Sequence, residues 1–331
     1  MRLLLHIGHG KTGSSYLQSW LAANTRELAQ QSGLLYPMQS PDSAFRDDRA
    51  SQGRFSMGNG HVLQALLESP ERPRRWRRKL LNQEGLSRRQ LKGLVFSFEG
   101  WAKQLDQLLP PLLPVADCWD VERIELLLMV RDPLEHAFSV YSQMVKRHGF
   151  SGSLQEWLEI YDFPKVLLHF LEVFQSQPDR ISLRVDHYGH QRNNLENCLL
   201  DWLALPVHSK WQKPSSTVNR SLTQDELLIM RFLNERLGES ASSVGELLVD
   251  RLPNLKPARL QPSHDALKRF EERWSPIVET INFRLSDSSQ VCCTGSKIIS
   301  SPAEEQDPKI ICLLPEQLEC LFDGLVREAA R

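Results

Sequence analysis

The chain has 331 residues, 41% of them apolar, and its 40 lysines and arginines nearly cancel 41 aspartates and glutamates, leaving a net charge of −1 at pH 7. Such a chain can bury a large core; its near-neutral balance argues against a general nucleic-acid binder, and no apolar run reaches membrane-spanning length. Its six cysteines form no C-x-x-C pair, so free thiols are expected, with neither a zinc site nor a disulfide framework.

Read in chain order, Arg2–Ile7 is an apolar strand, Gly8 to Gly13 a tight turn, and Ser14 onward a helix with Leu17, Trp20 and Leu21 on one face. Backbone N–H groups at that helix start, the positive end of its dipole and the ammonium of Lys11 converge as an anion site requires. A nucleoside-triphosphate loop, G-x-x-x-x-G-K-[ST], is excluded at its first glycine, where this chain has Leu5. His6 falls within the strand as a core or crevice-wall residue, and His9 in the loop. A short strand follows at Leu34–Tyr36, and a polar stretch between Pro41 and Gly60 reads as a surface loop near the substrate mouth. His61 stands at the head of the helical run Val62 to Leu67. The run Arg72 to Lys79 carries six positive charges around one aromatic, Trp76, and reads first as a solvated helix face, second as a docking surface for an anionic acceptor or lipid head group, and least as a nucleic-acid patch.

Leu94–Phe98 is a further strand with Glu99 at its carboxyl end, where side chains enter the crevice of an open α/β sheet. Glu99 is either a general base there or a cap on a helix from Gly100 to Leu108. The strand Ile124–Val130 ends in Arg131-Asp132-Pro133, followed by a helix bearing Ser139 and Tyr141; Asp132 capping that helix with Arg131 in a structural ion pair is the alternative to a ligand site. A strand at Arg180–Val185, a helix from Gln224 to Leu237, a long loop from Ser286 to Lys309 and a final helix from Pro315 to Glu328 complete the chain. Trp20, Trp101 and Trp202, at helical spacing from leucines, are expected in the core. This alternation predicts an α/β, P-loop-like three-layer fold with a central, mainly parallel sheet flanked by helices. One large domain is expected, with residues 238–331 as a helical and loop extension.

Lys11-Thr12-Gly13-Ser14-Ser15 resembles the 5'-phosphosulfate loop of sulfotransferases that use 3'-phosphoadenosine 5'-phosphosulfate (PAPS), written K-[ST]-G-[ST]-[ST] after the first strand. Arg131 with Ser139 eight residues later resembles that family's 3'-phosphate grip. Gly33-Leu34-Leu35-Tyr36-Pro37 and Val218-Asn219-Arg220-Ser221-Leu222 are similar to further segments of bacterial members that begin H-I-G-x-x-K-T-G. Together these lay about two-thirds of the chain, from Met1 to roughly Leu237, along the family pattern.

The resemblance implies transfer of a sulfonate group from PAPS to a hydroxyl or amine of an acceptor, a carbohydrate or small metabolite, with adenosine 3',5'-bisphosphate as product and no metal. Lys11 is then catalytic and, with Thr12, Gly13, Ser14 and Ser15, cradles the 5'-phosphosulfate, while His9 touches the sulfonate. Arg131 and Ser139 hold the 3'-phosphate, and Arg220 reaches the 3'-phosphate or the adenine. Family members use either glutamate or histidine as base, so Glu99 leads and His61 is the alternative. A P-loop-type nucleotide kinase, or a nucleotide-binding protein without catalysis, are the other readings. No nucleic-acid partner and no membrane span are expected, only peripheral contact through residues 72–79. With Met1 and Arg2 alone before the apolar run of the first strand, a cytoplasmic location is expected.

Overall fold

Five strands form one parallel sheet in the order β2-β3-β1-β4-β5, where β1 is Arg2–Ile7, β2 Leu34–Leu35, β3 Gly93–Phe98, β4 Arg123–Val130 and β5 Ile181–His187. The computed structural model from which this follows describes residues 1–39, 58–69, 71–208, 210–214, 220–294 and 311–329. Every residue of β1 after Arg2 is buried, as the central strand of a sheet covered on both faces requires. The expected α/β class is the one observed.

The two faces of the sheet follow from strand alternation. Leu4, Val95, Leu127 and Met129 turn to one face and pack against Leu17, Trp20 and Leu21 of α1 (Ser14–Ala23) and Leu199 and Trp202 of the helix Leu195–Leu203. Phe96, one residue out of phase, meets Trp76 at 6.3 Å on the other face. Trp76 belongs to α4 (Arg72–Glu84), which comes after α2 (Thr25–Ser32) and α3 (Gly60–Leu67). In α4, Pro73, Trp76, Arg77, Leu80 and Leu81 are buried at helical spacing, so the basic run is amphipathic: Arg74, Arg75, Arg78 and Lys79 remain exposed. Its aromatic is therefore a core residue and no base-stacking platform. Arg77 donates to the Trp119 carbonyl and lies 3.4 Å from Asp120.

After β3, the helix expected from Gly100 to Leu108 is instead a 3₁₀ turn, Trp101–Lys103, followed by α5 (Leu105–Cys118). Leu105, Leu108, Leu109, Leu112, Val115 and Ala116 are buried along α5, an apolar stripe that keeps it helical despite Pro110, Pro111 and Pro114.

The chain divides into two compact units: Met1–Arg131, Lys165–Val218 and Thr280–Gln290 make the first, which holds the sheet, and Asp132–Pro164, Asn219–Glu279 and Val291–Arg331 the second. Residues after 238 contribute to both. The second unit is helical, its core built from Leu134, Tyr141, Leu158, Met230, Leu248, Phe270 and Trp274, with α6 (Pro133–Arg147) among its elements. The polar stretch after Pro41 lies, up to residue 57, outside the described residues, as does 295–309 of the expected late loop; its start, 286–294, contains the short turn Asp287–Ser289.

Candidate anion site at the carboxyl end of the sheet

The chain leaves β1 to build β2 and β3 on one side and returns to build β4 on the other, so the order reverses beside β1. Ligands of open α/β sheets bind outside the carboxyl ends of the strands at such a point. Here that position is filled by residues 8–13, between β1 and α1. Two residues of this loop have left-handed backbone, Lys11 at φ 69° and Gly13 at φ 87°. For Gly13 this is the ordinary freedom of glycine, but for Lys11 it is an uncommon conformation held by its surroundings. Thr12 is fully buried and donates its hydroxyl to the His9 carbonyl at 2.7 Å, pinning the turn.

Gly13 caps α1, and the first bonds of the helix run from the Tyr16 and Leu17 N–H groups to its carbonyl at 3.0 and 3.2 Å. Ser14 and Ser15 precede those bonds, so their N–H groups point out of the helix start with its positive dipole end. Ser14 is 2% exposed and its Oγ has no hydrogen-bond partner among the described residues. Gly8 is required for this packing: a Cβ there would stand 2.5 Å from Ser14 Oγ.

Strand alternation brings the other groups to the same face. His6 and Ser97 are ladder partners, and Ser97 and Glu99 follow Val95 in phase, as Arg131 follows Met129. Glu99 is brought to the loop: a Cβ on Gly10 would lie 3.2 Å from Glu99 Oε2. Its role as a cap on the following helix does not arise, since Gln104 is the residue before α5 and Gly100 the one before the 3₁₀ turn. Arg131 donates to the Lys11 carbonyl at 3.2 Å, and its guanidinium lies 5.3 Å from the ring centre of Tyr188. Tyr188, just beyond β5, also backs Gly13, where a Cβ would come within 2.9 Å of its ring. This tyrosine escaped the reading of the sequence, because no local motif distinguishes it from the short helical turn Tyr188–Gln191 that it starts.

His61 is exposed in the first turn of α3. Ser139 lies on α6 in the second unit, partly exposed. Arg220 is engaged within the second unit. It is buried, and each of its five N–H donors is used: two on Glu226 at 2.7 and 2.8 Å, and one each on the carbonyls of Ser221, Leu248 and Leu252. Burial and these bonds, against a carboxylate that also accepts from Gln317 at 2.8 Å, make it a structural ion pair of the second unit with nothing left for a nucleotide. A separate cavity of about 320 Å³ opens between α2 and α4, lined by Arg26, Tyr36, Gln39, Trp76, Lys79 and Gln83 among others; no residue of the 8–13 loop lines it.

Fold and loop thus define a parallel α/β protein with a glycine- and hydroxyl-rich strand–loop–helix at the reversal point of its sheet. Among solved structures, the chain is similar to a sulfotransferase from Alicyclobacillus acidocaldarius, at 11% identity and a TM-score of 0.39, covering 85% of this chain and 94% of that one. It is also similar to the sulfotransferase domain from the curacin biosynthetic pathway, at 15% identity and a TM-score of 0.34, covering 83% and 97%. No family model and no curated protein matches the sequence. Likeness of this degree does not define an activity, and the functional reading rests on the loop itself.

Proposed function

We propose that this protein is a sulfotransferase that takes its sulfonate group from PAPS and passes it to a hydroxyl or amine of a carbohydrate or small metabolite. The observation that carries this reading is the meeting of Glu99 and Arg131 at the loop that bears Lys11: the guanidinium donates to the Lys11 carbonyl and the carboxylate lies against Gly10, the three residues coming from beyond three adjacent strands. The loop suits the donor's 5'-phosphosulfate: backbone N–H groups of Ser14 and Ser15, the buried Ser14 hydroxyl and the close approach allowed by Gly8 form a cradle for oxyanion oxygens. When bound, the donor supplies an activated sulfonate whose S–O bond to the 5'-phosphate breaks as sulfur bonds to the acceptor's oxygen or nitrogen.

The protein's part is electrostatic and positional. Lys11 faces the charge that grows on the departing phosphate, which is the place where a preorganised donor accelerates transfer most. Glu99 takes the proton released by the attacking hydroxyl, its carboxylate being delivered to the loop by the strand end. Arg131 offers a planar fork suited to the 3'-phosphate dianion.

Isothermal titration tests the nucleotide assignment. Adenosine 3',5'-bisphosphate should bind more tightly than AMP by about 2–4 kcal/mol, the size of charge-assisted bonds to one phosphate, and more tightly than ADP or ATP. Arg131→Ala should erase the difference between the bisphosphate and AMP. Equal affinities of the wild-type protein for these two ligands would overturn the 3'-phosphate assignment, and a screen of hydroxylated and amino acceptors with radiolabelled PAPS that finds no transfer would overturn the activity.

A further inference from the structure

One buried group at this site is absorbed by neither the fold nor the mechanism. His6, the penultimate residue of β1, is fully buried, and its Nδ1 lies 2.7 Å from Ser97 Oγ. The same Ser97 oxygen accepts a hydrogen bond from Gln18 Nε2 at 3.2 Å, from α1. Gln18 Nε2 can only donate, and among the described residues His6 Nδ1 is the acceptor within reach of the Ser97 hydroxyl, so the arrangement that leaves neither group unsatisfied has Ser97 donating to Nδ1. An imidazole that accepts at Nδ1 carries its proton on Nε2. That Nε2 has no hydrogen-bond partner among the described residues. It lies 3.5 Å, and Ser14 Oγ 2.5 Å, from one point, the position a Cβ of Gly8 would take. Two buried polar atoms therefore flank the same stretch of loop backbone, one from the strand below and one from the helix start.

We infer that His6 is a positioning residue of the anion site, presenting Nε2–H beside the Ser14 hydroxyl as a fixed donor to a phosphate or sulfonate oxygen held by the loop. This rests on reading that loop as an oxyanion site. Burial lowers the His6 pKa to about 4, so the ring is neutral at neutral pH and carries a single N–H. A neutral donor suits a group locked under a loop that already carries Lys11: it adds direction without adding a charge whose desolvation would cost more than one hydrogen bond returns. The relay Gln18–Ser97–His6 also explains why two adjacent buried strands hold a histidine and a serine side by side. Each satisfies the other, and the remaining donor is turned to the ligand.

Long-range ¹H–¹⁵N spectra of the ¹⁵N-labelled full chain at pH 7 read the tautomer directly, with the His6 signals assigned by their loss in His6→Gln. Protonation at Nε2 is expected, and the Nε2 resonance should move on titration with adenosine 3',5'-bisphosphate and with inorganic phosphate. Glutamine places an N–H near the position of Nε2, whereas asparagine reproduces only the Nδ1 side facing Ser97. His6→Gln should therefore bind the bisphosphate within about threefold of wild type, and His6→Asn about tenfold more weakly, the worth of one neutral hydrogen bond. A merely structural contact with Ser97 would make asparagine the better substitute, which overturns the inference. So would a ring protonated at Nδ1, or a His6 signal that neither ligand moves. A signal that moves with inorganic phosphate while the bisphosphate fails to bind would keep the role of His6 and overturn the nucleotide reading instead.

Discussion

Lys11 is asked to do two things at once, and replacing it with glycine and with alanine separates them. Its backbone is left-handed at φ 69°, a conformation that costs a residue with a Cβ roughly 1–2 kcal/mol. Lys11→Ala keeps that strain and removes the ammonium. Lys11→Gly removes both, but glycine returns about 0.4–1 kcal/mol through the greater freedom of the unfolded chain. The glycine variant should therefore be the more stable of the two by about 0.5–1 kcal/mol, or roughly 1–4 °C in Tm by the scaling for chains of a couple of hundred residues. Sulfonate transfer should behave in the opposite sense. Both variants should lose about a hundredfold or more in turnover, because the charge on the leaving phosphate is then unopposed, while affinity for adenosine 3',5'-bisphosphate falls far less. Thermal unfolding followed by tryptophan fluorescence and turnover with radiolabelled PAPS measure the two effects. A glycine variant no more stable than the alanine one would show that the loop lysine is unstrained; an alanine variant with normal turnover at saturating donor would remove Lys11 from catalysis.

Gly13→Ala places a Cβ within 2.9 Å of Tyr188 and Leu195 at φ 87° and should cost about 2–4 kcal/mol from strain and overpacking together. The control Gly85→Ala, also left-handed but with nothing within 4 Å, should cost about 1–2 kcal/mol from strain alone; equal losses in urea unfolding would refute the close approach of Tyr188. Glu99→Gln should depress turnover by about a hundredfold with stability changed by no more than about 1 kcal/mol, and His61→Ala should be milder; full activity in the first beside an inactive second would make His61 the base. The folded-state pKa of His6 lies below its unfolded value, about 4 against 6.5. Its neutral form thus contributes stability that is complete above pH 6.5 and is lost as pH falls towards 4, by about 3 kcal/mol in all. Urea titrations across that window should show the loss in wild type and a smaller one in His6→Gln, and identical pH curves would refute it.

Much of the first unit was legible because its elements are signalled locally. β1 has the bounds that its apolar run gives, and β3 and β4 start one residue earlier than read, where Gly93 and Arg123 pair with Arg2 of β1. The lysine loop and Glu99 could be placed because the end of an apolar run marks the end of a strand. What remained hidden depended on partners distant in sequence. Tyr188 becomes meaningful only once β5 is set beside β4 and its ring reaches Gly13 and Arg131. The three prolines of α5 concealed a helix whose stripe of leucines outweighs them. The ion pair of Arg220 with Glu226 also escaped, although a signal was present. Thr223 and Glu226 form a capping box, which fixes the carboxylate beside the helix start, close in sequence to a guanidinium that must otherwise be buried unpaired.

The order of the sheet also carries a consequence for synthesis. β1 is paired on one side with β3, Leu3 against Leu94, and on the other with β4, Leu3 against Ile124. On the ribosome both edges of its apolar ribbon are therefore bare until residues near 98 have emerged, and the edge that takes β4 until residues near 130, a wait on the order of ten seconds at ordinary elongation rates. During that interval RLLLHI is an uncovered template for strand addition by another nascent chain. The strand that leads into the anion loop is thus the segment for which a holding chaperone matters most, and slowed translation between β1 and β4 should reduce the yield of native protein more than slowing after β4.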